Sequence, residues 1–101
     1  MEGVERIGAF LARVTSDPKL GPSHISICTV LCNYWIKNKL HNPFKISRKY
    51  VMKGAGVKST STYHKILKDL VALEYVNYKA FFDPKGRCEV SIFCELRGRT
   101  P

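Results

Sequence analysis

Between Lys58 and Lys68 the chain gathers groups suited to recognising a phosphate or the edge of a base. Four hydroxyls follow one another in Ser59, Thr60, Ser61 and Thr62, and His64, Lys65 and Lys68 come next. Hydroxyls donate and accept hydrogen bonds without bulk, a histidine can do either, and a lysine brings charge to an oxyanion or a guanine edge. The chemistry on offer is hydrogen bonding and electrostatic attraction. Covalent chemistry has no comparable support: the chain holds no paired-carboxylate cluster, no Gly-x-Ser-x-Gly and no His-Glu-x-x-His. Gly54-Ala55-Gly56 lacks the preceding strand and third glycine of a dinucleotide loop, and GAGVKST shares only composition with a phosphate loop. The expectation is a protein that is not an enzyme and uses no cofactor.

Metal binding and membrane insertion are also disfavoured. Cys28 and Cys32 are four apart in a helical stretch, and Cys88 and Cys94 are six apart in a strand-like one. Structural zinc ligands usually pair more tightly and near turns, so all four cysteines are expected in the core and no metal is assigned. Glu2 and Glu5 stand where a signal peptide carries Lys or Arg, and the apolar run Ile25–Ile36 is interrupted by Ser26, Thr29 and Asn33. A cytoplasmic protein with no membrane partner is expected.

The charge points the same way as the hydroxyls. The 101 residues include 17 Lys+Arg and 8 Asp+Glu, a net charge of +9, which favours a polyanionic partner. No acid occurs between Asp17 and Asp69, and those 51 residues contain ten Lys or Arg. A solvated helical surface gains from mixed signs, because opposite charges four apart support a helix. A stretch that forgoes those pairs fits attraction to phosphates.

The elements that position these groups can be read from periodicity. Val4, Ile7, Leu11 and Val14, with Phe10 beside them, predict a helix over 4–15, stopped by Ser16-Asp17-Pro18. A central helix over 23–40 buries Ile25, Cys28, Cys32 and Trp35, flanked by Ile27, Leu31 and Ile36. Phe44-Lys45-Ile46 alternates as a very short strand. Ser47 is placed as the N-cap of a helix from Arg48 to Gly54 or Ala55, with Ile46 and Val51 as its hydrophobic staple. Gly56 ends that helix in the left-handed conformation and Val57 anchors the turn. Ser59 or a neighbour caps a further helix over 60–74, whose apolar face is Tyr63, Ile66, Leu67, Leu70 and Leu73. Alternation over 75–81 and 88–94, around the turn Asp83-Pro84-Lys85-Gly86, predicts a β-hairpin. The fold class is α+β, mostly helical.

Two short helices joined by a glycine-containing turn match a helix-turn-helix, and the hairpin with its basic tip matches a wing. The segment ISRKYVMKGAGVKSTSTYHKILKDLVALEYVNYK, Ile46 to Lys79, resembles the winged helix-turn-helix DNA-binding family. Glu74 stands where that family usually has glycine. The stretches NPFKISRKYVMK and TYHK are similar to segments of small winged-helix proteins of bacterial mobile and conjugative elements. The resemblance implies an N-terminal helix and linker over 1–21, a winged helix-turn-helix domain over 22–96 (a three-helix core with a C-terminal wing), and a basic mobile tail over 97–101. It further implies a bacterial transcriptional regulator that binds double-stranded DNA. The recognition helix, about 59–74, would enter the major groove, and the wing, about 82–88, would lie on the adjacent minor groove or backbone. The contact residues it implies are Arg48, Lys49, Lys58, Ser59, Thr60, Ser61, His64, Lys65, Lys68, Lys85 and Arg87. Arg97 and Arg99 would extend them as a basic arm.

Two other readings stay open. A winged-helix protein–protein module would call for an exposed apolar patch. An RNA- or single-strand-binding protein would call for exposed aromatics, for which Tyr78, Phe81 and Phe82 are the candidates near the wing. The stripe Val4, Ile7, Leu11 and Val14 could serve the chain's own core or a homodimer contact.

Overall fold

Breakers and apolar periodicity set the helix ends in the computed structural model, which describes residues 2–80 and 87–93. Among these are four helices and a three-stranded antiparallel sheet, so the α+β expectation holds. Helix α1 (Glu2–Ser16) stops just before Asp17-Pro18, and α2 (Pro22–Lys37) opens on Pro22, whose fixed φ suits a first helical residue. Strand β1 (Phe44–Ser47) leads directly into α3 (Arg48–Ala55). Helix α4 (Thr60–Ala72) follows a short turn, and β2 (Val76–Ala80) and β3 (Arg87–Ile92) complete the chain order. The turn 83–86, Cys94 and the tail 97–101 lie outside the described residues.

The sheet order is β1-β3-β2, with Phe44 opposite Val90 and Val90 opposite Tyr78. Alternation then sorts the strands by face. Phe44, Ile46, Val76, Cys88, Val90 and Ile92 are buried, while Lys45, Asn77 and Lys79 are exposed on the other side. The buried face packs with Ile27, Cys28, Leu31, Cys32 and Trp35 of α2, Val51 of α3, and Tyr63, Ile66, Leu67 and Leu70 of α4 in one core. Cys28, Cys32 and Cys88 are free thiols in that core; burial pushes Cys28 up to about 12 and Cys32 up to about 11.

Helices α2, α3 and α4 end in the same way. After each, a residue with positive φ (Lys39 at 56°, Gly56 at 73°, Glu74 at 66°) lets the next N–H reach back to a carbonyl. These bonds are Leu40 to Trp35 at 2.8 Å, Val57 to Met52 at 2.9 Å and Tyr75 to Leu70 at 2.9 Å. The pattern is the Schellman closure, and only at Gly56 is its left-handed residue a glycine. Three expectations are corrected in this region. Helix α2 ends at Lys37, not 40, because Lys39 and Leu40 turn left-handed. Helix α4 ends at Ala72, not 74, because Glu74 turns left-handed. Ser47 stands at the N-cap of α3 but makes no side-chain cap; its N–H lies 3.4 Å from the Tyr34 hydroxyl.

The N-terminal stripe divides. Phe10 and Val14 are fully buried, so Val14 belongs to the chain's own core. Val4 is 63% exposed, and Ile7 and Leu11 line an open groove beside Val30, Ile36 and Tyr50. Cation–π contacts hold α1 in place: Arg6 lies 5.0 Å from the Trp35 ring and Arg13 4.6 Å from the Tyr75 ring.

Candidate nucleic-acid interface

The core positions α4 by its inner face and leaves a polar face outward. Tyr63, Ile66, Leu67 and Leu70 are buried at spacings of three and four, so the residues between them point to solvent. Thr60, Ser61, Thr62, Lys65 and Lys68 are exposed, and His64 is half-buried. Its ring meets Tyr63 edge-on, with centroids 5.5 Å apart. Lys58, in the turn before α4, is exposed as well.

The hydroxyls at the start of α4 divide their work. Ser59 Oγ accepts the Thr62 N–H at 3.3 Å and lies 3.0 Å from the Ser61 hydroxyl. Ser59 is therefore an N-cap. Thr60 and Ser61 occupy the first turn, where backbone N–H groups lack intrahelical acceptors and the helix dipole favours an anion. The short loop Gly56–Ser59, anchored by buried Val57, brings α3 up to this end of α4. Arg48 and Lys49 are exposed at the start of α3. The Arg48 charge acts on Tyr63, Tyr78 and Cys88, lowering each pKa against the larger upward effect of burial. It therefore sits where α3, α4 and the sheet meet.

Among the described residues, Arg48, Lys49, Lys53, Lys58, Lys65 and Lys68 form no ion pair. The acids are held elsewhere. Asp69, the one acid of α4, turns toward α2 and lies 2.9 Å from His24 Nε2. Asp17 accepts the Tyr75 hydroxyl at 2.6 Å. Glu89, on the outer face of the sheet, stands in register between Lys45 and Lys79.

Lys58, Ser59, Thr60, Ser61, His64, Lys65 and Lys68 thus lie together on the outer side of α4 and the turn before it. Arg48 and Lys49 stand at the far end of α3, and of the two Arg48 is within electrostatic reach of Tyr63. Arg87 falls in β3 opposite Ser47. Lys85, Phe81, Phe82, Arg97 and Arg99 lie outside the described residues. Sequence reasoning passed over Lys45, whose alternation with buried Phe44 and Ile46 was the available signal, and Lys79, which lies across Glu89 from it in the sheet. It also missed a trough of about 470 Å³ between α4 and β2, lined by His64, Leu67, Lys68, Val71, Ala72 and Tyr78. Among the described residues no three His, Cys, Asp or Glu side chains converge as metal ligands, and no helix is long and apolar enough to cross a membrane. Comparison with protein-family models, curated proteins and solved structures returns no match to this chain.

Proposed function

We propose that the chain is a winged helix-turn-helix protein that binds double-stranded DNA, with α4 in the major groove and the β2–β3 hairpin on the adjacent minor groove or backbone. One observation carries the reading: the exposed face of α4 presents hydroxyls and lysines that form no ion pair among the described residues, while its single acid is turned to His24. Such a face neutralises phosphates and presents donors and acceptors to base edges. Arg48 and Lys49, exposed at the start of α3, add positive charge on the preceding helix, where a helix crossing the backbone would carry it. A role as a bacterial transcriptional regulator follows from the resemblance of Ile46–Lys79. A homodimer belongs to the same proposal, with Val4, Ile7 and Leu11 as its contact; Val14 is buried and takes no part.

The test is selection of bound sequences from a random duplex pool, with single-stranded DNA and RNA as competitors, followed by fluorescence anisotropy. Duplex binding should weaken steeply with salt. Lys65→Ala should weaken it and shallow the salt slope by about 1 if Lys65 contacts a phosphate, or relax specificity at one position if it reads a base. No duplex binding at low salt overturns the proposal, and preferential capture of single strands moves the chain to the RNA- or single-strand class.

A further inference from the structure

The face of α4 that carries the cations is not uniformly polar. On the flank toward β2, His64, Lys68 and Val71 are spaced at four and three residues and so share one side of the helix. Val71 is 38% exposed, one of the few large apolar side chains left in solvent among the described residues. Tyr78 of β2 is half-buried and lines the trough across from it. The acid of α4 is on the opposite flank, 2.9 Å from His24 of α2. Helix α4 therefore has a cationic, partly apolar flank and an acidic one, and the trough lies along the first. Lysines alone would suffice for the sugar–phosphate backbone. An apolar strip in the same trough matches a ligand that offers hydrocarbon beside its negative charge.

In duplex DNA the major groove offers such a group at one base only, the 5-methyl of thymine. We propose that the α4–β2 trough reads thymine, with Val71 and Tyr78 against the methyl group and His64 and Lys68 on the neighbouring polar edges or phosphates. This rests on the DNA-binding reading and adds to it a preferred base and the residues that select it.

Uracil, which differs from thymine only in that methyl, is the probe. In the tightest duplex selected from the random pool, each thymine is replaced by uracil in turn and the Kd measured for the native chain and for Val71→Ala. One buried methyl predicts about a fourfold loss at one or two positions for the native chain. Val71→Ala, which should fold with an unchanged circular dichroism spectrum, should bind the thymine duplex more weakly and show no further loss with uracil. A selected site without thymine, indifference of the native chain to every uracil, or a thymine–uracil difference retained by Val71→Ala each overturns the inference while leaving DNA binding intact. Failure to select any duplex overturns both.

Discussion

His24 and Asp69 join α2 to α4 through a 2.9 Å contact between Nε2 and a carboxylate oxygen. The other ring nitrogen, Nδ1, accepts the Gly21 N–H at 3.2 Å, which in the neutral ring leaves the proton on Nε2, directed at Asp69. One side chain thus caps the start of α2 and holds the only acid of α4 away from its cationic flank. His24→Ala should lower stability by about 1 kcal/mol, the usual effect of losing a cap, with a small addition for a partly exposed pair. In urea unfolding the midpoint should fall with the slope unchanged. A midpoint equal to that of the native chain would show that neither contact stabilises the fold.

The hydroxyls of Ser59 and Ser61 are 3.0 Å apart yet have separable roles. Ser59 caps α4, so Ser59→Ala should destabilise by about 1 kcal/mol. Ser61 is exposed in the first turn, so Ser61→Ala should leave the thermal midpoint unchanged and weaken duplex binding. Thermal unfolding and anisotropy on the same two variants read both effects; equal loss of stability in both would make the pair purely structural.

Tyr63 is fully buried, and its hydroxyl finds no hydrogen-bond partner among the described residues. Burial, the largest influence, holds the phenol well above its usual range, with the Arg48 charge opposing. A buried, unsatisfied hydroxyl costs about 1–3 kcal/mol relative to a satisfied one. Tyr63→Phe should therefore be neutral or stabilising, with the denaturation midpoint equal to or above that of the native chain. A fall of more than about 1 kcal/mol would mean that the hydroxyl is satisfied after all.

The Tyr75 hydroxyl, 2.6 Å from Asp17, gives stability a pH signature. Asp17 is held below its ordinary 3.8, first by that hydroxyl and then by the Lys19 N–H. A depressed carboxyl contributes stability that is present above pH 3.8 and is lost as pH falls through the lower folded value. Tyr75 is pushed from 10.0 up to about 12, mainly by burial and then by the bond to Asp17. Its contribution is present below pH 10 and is lost as pH rises through about 12. Tyr75→Phe should lower the thermal midpoint at neutral pH. The gap to the native chain should narrow below pH 3.8. The loss of stability between pH 10 and 12 should become smaller by the Tyr75 share, with the buried thiols and other tyrosines still contributing. A gap independent of pH would assign the effect to packing alone.

Local signals in the sequence were reliable where neighbours along the chain decide the outcome. Ile46 and Val51 are both buried, and the left-handed Gly56, the anchor Val57 and the cap Ser59 are present. Ser47 is the exception, standing at its N-cap position without a side-chain bond. Contacts set by distant parts of the chain were less legible. The very short strand at Phe44 was readable, but its partner was not, because β1 pairs with a strand far along the chain, from Ser47 opposite Arg87 to Phe44 opposite Val90. The α1 stripe was misread for a geometric reason. Ten residues from Val4 to Val14 advance a helix by roughly 1000°, some 80° short of a whole number of turns, so the two cannot share one line. Phe10 and Val14 accordingly face inward while Val4 faces out. At the interface, the hydroxyls and lysines of α4 were legible from type and spacing. The trough was not, since Tyr78 reaches it only through the fold of β2 against α4.

Glu74 shows what a local rule predicts when the sequence departs from it. With φ at 66°, it occupies the left-handed region, where a side chain with Cβ costs about 1–2 kcal/mol. The closure it makes is nonetheless complete: its own N–H reaches Val71 at 3.0 Å and that of Tyr75 reaches Leu70 at 2.9 Å. Leu70 and Tyr75 are both buried and support the turn. Glycine would relieve the strain but would add freedom to the unfolded chain, worth about 0.5–1 kcal/mol in the other direction. Glu74→Gly should therefore stabilise by about 0.5–1 kcal/mol, raising the urea midpoint at constant slope. Glu74→Val, β-branched and poorly suited to positive φ, should do the reverse. If both variants fall below the native chain, Glu74 contributes through its carboxylate rather than enduring the turn.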